Sequence, residues 1–338
     1  MTEESSKQPA LLVTVDTEPD DEWSGTTDLS LRNIGRIPRL QEMLDRHGVR
    51  PTYFVSYSVA ADPESAEVLA PIREAGRCEI GTHLHAWRTP PHEGTPPKLL
   101  EGHPYLFQYP ADLQRAKFEA VHRAIQDAFG AEPTSHRAGK YGLDVHGVRL
   151  LREFKYRVDS SVTPMITWEA DAQAGQPGPD FRRAPLGVYE LSEDDPLRPG
   201  RSGVIEVPVS IGFTGGPDWL TGWLRPRRIE HPAARALGKA TGVRKRWFRP
   251  MLALPVAEAE RVGRWLLEHD VGFLNMMFHS SELIPNSRWS RDEAEVDALF
   301  TRIEQMIELA VRLGCRTGDT LTEFAQRSVS GTVSEETV

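Results

Sequence analysis

The sequence predicts a parallel α/β fold, and three observations carry that prediction. Short apolar runs of strand length alternate with helix-length segments through the first half of the chain, as βαβ units require. Residues able to do chemistry recur where those runs end: an acidic cluster at 16–22, then His83, Arg137, Asp159 and His279. In open parallel sheets and closed barrels alike, chemistry gathers at the C-terminal ends of the strands. Finally, residues 165–201 are rich in Pro, Gly and Asp without periodicity, which marks a long excursion rather than another repeat of the pattern.

Taken in order, the first strand is expected at 11–15 (Leu-Leu-Val-Thr-Val). Ile34, Ile37, Leu40 and Leu44 then recur at helical spacing over 34–47, with Gly48 as a stop signal. A strand follows at 52–55, a helix over 66–75, and a strand at 78–81 that leads into His83. A long helix fills 111–129, followed by a strand at 134–137, a helix over 145–154 and a strand at 156–159. Beyond the excursion, 205–209 reads as a strand, and the apolar run 271–278 leads directly into His279. The last helices are expected over 256–269, 291–313 and 321–327. There is no internal repeat. The organisation expected is a polar tail over 1–9, a single domain over 10–327 with an insertion at about 165–250, and a small, polar, disordered tail over 328–338.

Hydrophobic content of 39% and charged content of 26% suit a soluble globular protein with a sizeable core. A net charge of −9 argues against non-specific nucleic-acid binding by the whole molecule. The start of the chain lacks the basic and apolar signature of a signal peptide, and no apolar stretch approaches the roughly 20 residues that cross a bilayer. Cys78 and Cys315 are too few for a disulfide framework and have no C-x-x-C partner. The expected setting is therefore reduced and cytoplasmic. One segment runs against the acidic balance: 223–250 holds nine Lys or Arg and a single acid, Glu230, interleaved with Trp223, Trp247 and Phe248. It reads either as a solvated insertion or as a peripheral contact, through residues such as Arg244, Lys245 and Arg246, with an anionic carrier at the inner membrane face.

Asp16, Glu18, Asp20, Asp21 and Glu22 put several carboxylates at the first strand end. Neighbouring carboxylates repel unless they share a cation or a proton, so a metal or substrate is the economical alternative to a solvated acidic loop. Residues i and i+2 of an extended segment share a face. Asp16 and Glu18 can thus enter one site, one as general base and one as ligand. His83 and His85 have the same spacing, and two imidazoles beside a carboxylate suit zinc or a similar divalent ion. His279 can protonate a leaving amine near neutral pH, although standing alone it reads equally well as a core histidine. Arg137 can hold a carboxylate by a bidentate contact, and Asp159 can fix an arginine or a histidine; both gain weight only as members of the set.

The segments 14–18 (Thr-Val-Asp-Thr-Glu), 51–55 (Pro-Thr-Tyr-Phe-Val), 79–85 (Glu-Ile-Gly-Thr-His-Leu-His), 136–142 (His-Arg-Ala-Gly-Lys-Tyr-Gly), 156–161 (Tyr-Arg-Val-Asp-Ser-Ser) and 278–280 (Phe-His-Ser) occur in that order. In combination they resemble the polysaccharide deacetylases with a NodB homology domain, carbohydrate esterase family 4, and within it the WalW-like branch. The resemblance implies a distorted (β/α) barrel of about seven parallel strands with a long irregular insertion after the fifth. It implies a metal-dependent hydrolase that removes N-acetyl groups from a sugar or a carrier-linked precursor in cell-surface polysaccharide biosynthesis. Carried over by position, Asp16 is the base, His83 a metal ligand, Arg137 the motif-three arginine and His279 the acid. The family's second aspartate and second histidine fall on Thr17 and Trp87. Glu18 and His85 stand in as ligands, with His92 in reserve, and Arg137 and Asp159 orient the others. Three other functions remain open on these residues: an amide hydrolase for a small non-sugar substrate, a glycosidase built on the carboxylates, and a non-catalytic glycan-binding relative.

Overall fold

The computed structural model describes residues 8–22, 29–92, 104–169, 176–227 and 231–333. Its centre is an eight-stranded sheet curled into a half-barrel, in the order β10-β1-β2-β3-β4-β5-β7-β6. The strands are β1 (Ala10–Thr17), β2 (Thr52–Ser56), β3 (Glu79–Leu84), β4 (Ser135–Ala138), β5 (Val158–Asp159), β6 (Tyr189–Glu190), β7 (Ile205–Glu206) and β10 (Phe273–His279). β10 through β7 run parallel, and β6 is antiparallel at the edge. The expectation of a distorted barrel with about seven parallel strands is met.

Burial explains the strand composition. Every residue of β1 and β10 is buried, because each strand lies between two neighbours or against helices on one face and the half-barrel interior on the other. The covering helices carry their own stop and start chemistry. Asp62 caps the helix Pro63–Glu74 by accepting from the Ser65 amide at 2.8 Å, and Asp144 caps Val145–Glu153 in the same way through Gly147. The long helix Ala111–Phe129 has the predicted bounds and ends on Gly130, whose φ of 66° is the left-handed value a helix stop favours. Among the described residues no helix is long and apolar enough to cross a membrane. Cys78 and Cys315 are both buried and unpaired with each other.

Three expectations need correction. The strand expected at 205–209 stops at Glu206, where Pro208 removes a ladder donor two residues on. The insertion is less irregular than its composition suggests. It contains β6 and β7, a separate antiparallel pair of β8 (Ile211–Phe213) with β9 (Lys245–Trp247), and the helices Asp218–Leu224 and Pro232–Thr241. Alternating Val209, Ile211 and Phe213 are all buried, a period-two signal too short to stand out beside so many prolines. Third, the final helix runs Leu321–Val333 instead of stopping at 327, anchored by buried Leu321, Phe324 and Ala325. Residues 334–338 of the expected tail, and 1–7 of the N-terminal one, lie outside the described residues.

Candidate active site

Parallel register brings the strand ends together. Asp16 of β1 pairs across to His279 of β10, and His83 of β3 pairs across to Arg137 of β4. Glu18 follows β1 by one residue and His85 follows β3 by one. The backbone of Glu18 is pinned on both sides: its amide donates to Ser280 Oγ at 3.1 Å and its carbonyl accepts from Asn33 Nδ2 at 2.7 Å.

Glu18, His83 and His85 form a fully buried group of three potential metal donors, their atoms all within 4.8 Å of one another. Glu18 Oε2 stands 3.6 Å from His83 Nε2 and 3.4 Å from His85 Nε2, and the two Nε2 atoms are 2.8 Å apart. Donors bound to one tetrahedral zinc at about 2.0–2.1 Å lie about 3.3 Å from each other, so the spacing is of the right size. The protons point the same way. His83 Nδ1–H donates to the Arg137 carbonyl at 2.9 Å, which leaves its Nε2 a bare lone pair. His85 Nδ1 faces Glu22 Oε1 at 2.7 Å, and Arg88 Nε lies 3.4 Å from the other Glu22 oxygen. Two imidazole Nε2 atoms and a carboxylate oxygen converge in a buried pocket, and nitrogens 2.8 Å apart need a proton or a cation between them. The donor set therefore fits a divalent ion.

Asp16 stands beside this group. Its Oδ1 accepts from Arg137 Nη1 at 2.6 Å, while Oδ2 points between His279 Nε2 at 3.8 Å and His83 Nε2 at 4.0 Å. Burial pushes the carboxyl up, but Arg137, His83 and His279 together outweigh that and hold it at about 2. Arg137 is itself held on several sides. It also donates to the Ser160 carbonyl, Ser160 Oγ and Thr14 Oγ1 at 2.9–3.0 Å, and lies over the Phe54 ring.

His279 is backed by an acid that the sequence reading did not single out. Glu282 Oε1 accepts from the His279 amide at 2.8 Å and lies 3.2 Å from Nδ1, and Arg249 Nη2 holds the same oxygen at 2.5 Å. Trp289 stacks on the imidazole at 5.4 Å. Burial lowers the affinity of His279 for a proton, yet Glu18, Glu282 and Asp16 raise it above the ordinary histidine value.

Two predicted residues stand apart. Asp159 does not reach Arg137 or the histidines of the centre; it accepts from His136 Nδ1 at 2.6 Å and from Ser161, on the opposite face of β4 and β5. Successive strand residues alternate faces, so His136 and Asp159 point away from the face that Arg137 and Ser160 share. His92 is exposed and outside the donor group. Trp87, four residues after His83, stacks on His85 at 4.5 Å. Asp20 is structural, holding Ser30, Arg32 and Asn33. Glu282 had one available signal: it lies three residues past His279, the spacing of a single turn.

No known family profile matches the sequence, and no curated protein matches it either. Solved structures do match its fold. A protein from Mycobacterium smegmatis described as a candidate polysaccharide deacetylase is 17% identical, with a TM-score of 0.50 over 97% of this chain and 92% of its own. A candidate glycoside hydrolase/deacetylase from Parabacteroides distasonis is 12% identical, with a TM-score of 0.59 over 95% of this chain and 71% of its own. At these identities the likeness is one of fold.

Proposed function

We propose that this protein is a metal-dependent carbohydrate N-deacetylase, hydrolysing the acetamide of an N-acetylated sugar or polysaccharide precursor. One observation carries the reading: a buried three-donor group, a carboxylate and a histidine converge within about 4 Å at the C-terminal ends of parallel strands of one sheet. The same fold in two candidate deacetylases supports it.

Glu18, His83 and His85 would hold the ion, zinc being the best match to two imidazoles and a carboxylate. Bound there, a divalent cation supplies Lewis-acid polarisation of an amide carbonyl and acidifies water. Asp16 acts as base through Oδ2, because Oδ1 is occupied by Arg137. A carboxylate held near 2 is a weak base and releases its proton again readily. His279 keeps Nδ1 toward Glu282, so Nε2 is the atom that protonates the departing amine. Arg137 fixes the direction of the Asp16 carboxylate. Asp159 supports this at one remove, by holding Ser161 beside the Ser160 that anchors Arg137.

The test is metal analysis of the purified protein with an acetate-release screen on N-acetylhexosamine substrates. Asp16→Asn should lower kcat by about 10²–10⁴-fold with metal content unchanged. Turnover surviving at the wild-type level removes Asp16 from the base role. Activity confined to non-sugar amides would move the assignment to another amide hydrolase.

A further inference from the structure

The described residues of the basic segment 223–250, which the proposed catalysis leaves largely unused, border a cavity of about 390 Å³. Its floor is apolar, formed by Phe213, Leu224, Ala234 and Val243, all buried. Among the described residues, every charged side chain that lines it is cationic. This volume lies in the range of small-ligand pockets, about 300–1,000 Å³.

Those cations divide into two groups. Lys245 is buried and donates to three backbone carbonyls, of Met165, Arg225 and Arg227, so it ties the insertion together. Arg244 and Arg246 share one carboxylate, Glu258, each at 3.0 Å, which leaves a positive surplus beside the cavity. Arg235 and Lys239, four residues apart on the helix Pro232–Thr241, are exposed and have no acidic partner among the described residues. Arg227 stacks on Trp223 at 3.7 Å. Four residues before Trp223 on the helix Asp218–Leu224, Trp219 is 71% exposed. In a chain of net charge −9, an apolar cavity rimmed by cations, with an exposed tryptophan on the helix that supplies Leu224 to it, is a strongly local arrangement.

We infer that this cavity binds an anionic amphiphile, a phosphate-bearing lipid presented by a membrane surface. Arg235 and Lys239 meet the head group, the apolar floor takes the first part of the chain, and Trp219 settles at the interface. A soluble phosphate would use the rim and gain nothing from the floor. Nucleic acid would likewise leave the floor empty. This inference does not depend on the catalytic reading, since the cavity contains none of the residues placed in it.

Sedimentation with vesicles tests it, using phosphatidylcholine alone and phosphatidylcholine containing phosphatidylglycerol. The intact protein should bind the mixed vesicles and not the neutral ones. Arg235→Gln with Lys239→Gln, both on an exposed helix face, should weaken binding by about thirty-fold, at about 1 kcal/mol for each basic residue near an anionic surface. Ala234→Leu fills the cavity without changing charge and should also weaken binding, with circular dichroism confirming the fold. Three results overturn the inference: equal binding to both vesicles, wild-type binding by Ala234→Leu, or competition by inorganic phosphate as effective as that by the vesicles. Acetate release measured on a soluble substrate should be unaffected by the double substitution, so the two readings fail separately.

Discussion

Arg137→Met is the substitution whose cost can be worked most directly from the structure. The guanidinium is fully buried, donates to Asp16, Thr14 and twice to Ser160, and has an aromatic ring beneath it. Methionine keeps the apolar stem and deletes the charge. Removing one partner of a buried pair leaves the other uncompensated, at a cost of about 3–5 kcal/mol. Asp16 gives a second figure. Its carboxyl sits at about 2 against an ordinary 3.8, a difference worth roughly 2.4 kcal/mol at about 1.36 kcal/mol per pH unit. Because the folded value lies below the unfolded one, that stabilisation is complete above about pH 4 and is lost as the pH falls through about 2. The 2.4 kcal/mol is already net of the burial penalty, so truncating Arg137 should cost more than it. In the variant, burial acts on Asp16 without its main counter-charge, and protonation relieves the unpaired anion. The expected result in urea denaturation is a deficit of about 3–5 kcal/mol at pH 7 that narrows at pH 4.5. Asp16→Asn combined with Arg137→Met should recover part of it. A deficit under about 1 kcal/mol at pH 7, or one equal at both pH values, refutes the claim that Arg137 exists to balance Asp16.

Glu22→Gln removes the carboxylate behind His85, and zinc affinity should fall about 10–100-fold in competition with a chromophoric chelator; unchanged affinity would reduce Glu22 to a packing residue. Glu282→Gln withdraws one of the anions that raise the proton affinity of His279, so the alkaline limb of the kcat/KM profile should move to lower pH; a fixed limb would mean another group is the acid. Burial pushes the Cys78 and Cys315 thiols up to about 12, so neither should react with a disulfide reagent until the protein is unfolded, and a native-state titre above zero would contradict their burial.

The fold was legible because period and punctuation agree in most elements. Helix Ala111–Phe129 carries its core residues at helical spacing and ends at Gly130, so even its bounds follow from the residues. The site was legible to the extent that it is strand-borne. Parallel register sets Asp16 beside His279 and His83 beside Arg137 once the strands are known, and the first strand ends in the expected acids. What stayed hidden depends on contacts distant in sequence. Thr14, Asn275 and Ser160 form the polar layer under Arg137, drawn from three separate strand regions. Arg249 reaches Glu282 from a segment that by composition looked like a solvated insertion. Asp159 sits at a strand end and holds a histidine, as expected, but that histidine is His136, on the face of the pleat away from Arg137. An error of one residue in the inferred facing reverses a side chain completely.

The spacing of the candidate donors follows the same pleat rule. Asp16 and Glu18, and His83 and His85, are separated by two residues, so each pair leaves its chain on one face as the strand ends. A donor set of Glu18, His83 and His85 thus needs no helical turn, whereas a histidine four residues after the first would have to come from the turn beyond β3. Trp87, two residues past His85, takes the next place along and covers the His85 ring. The approach of β4 closes the other side. A Cβ at Gly139 would lie 2.5 Å from His85 Cδ2 and 2.5 Å from the Leu84 carbonyl, so only glycine lets the chain after Arg137 pass so near that imidazole. The glycine in His-Arg-Ala-Gly-Lys-Tyr and the histidine in Thr-His-Leu-His are therefore fitted to each other across 54 residues of sequence, the first clearing the space the second occupies. Glu22 on Nδ1, Trp87 on one ring face and Gly139 at the ring edge leave His85 one direction for its remaining nitrogen, toward Glu18 and His83.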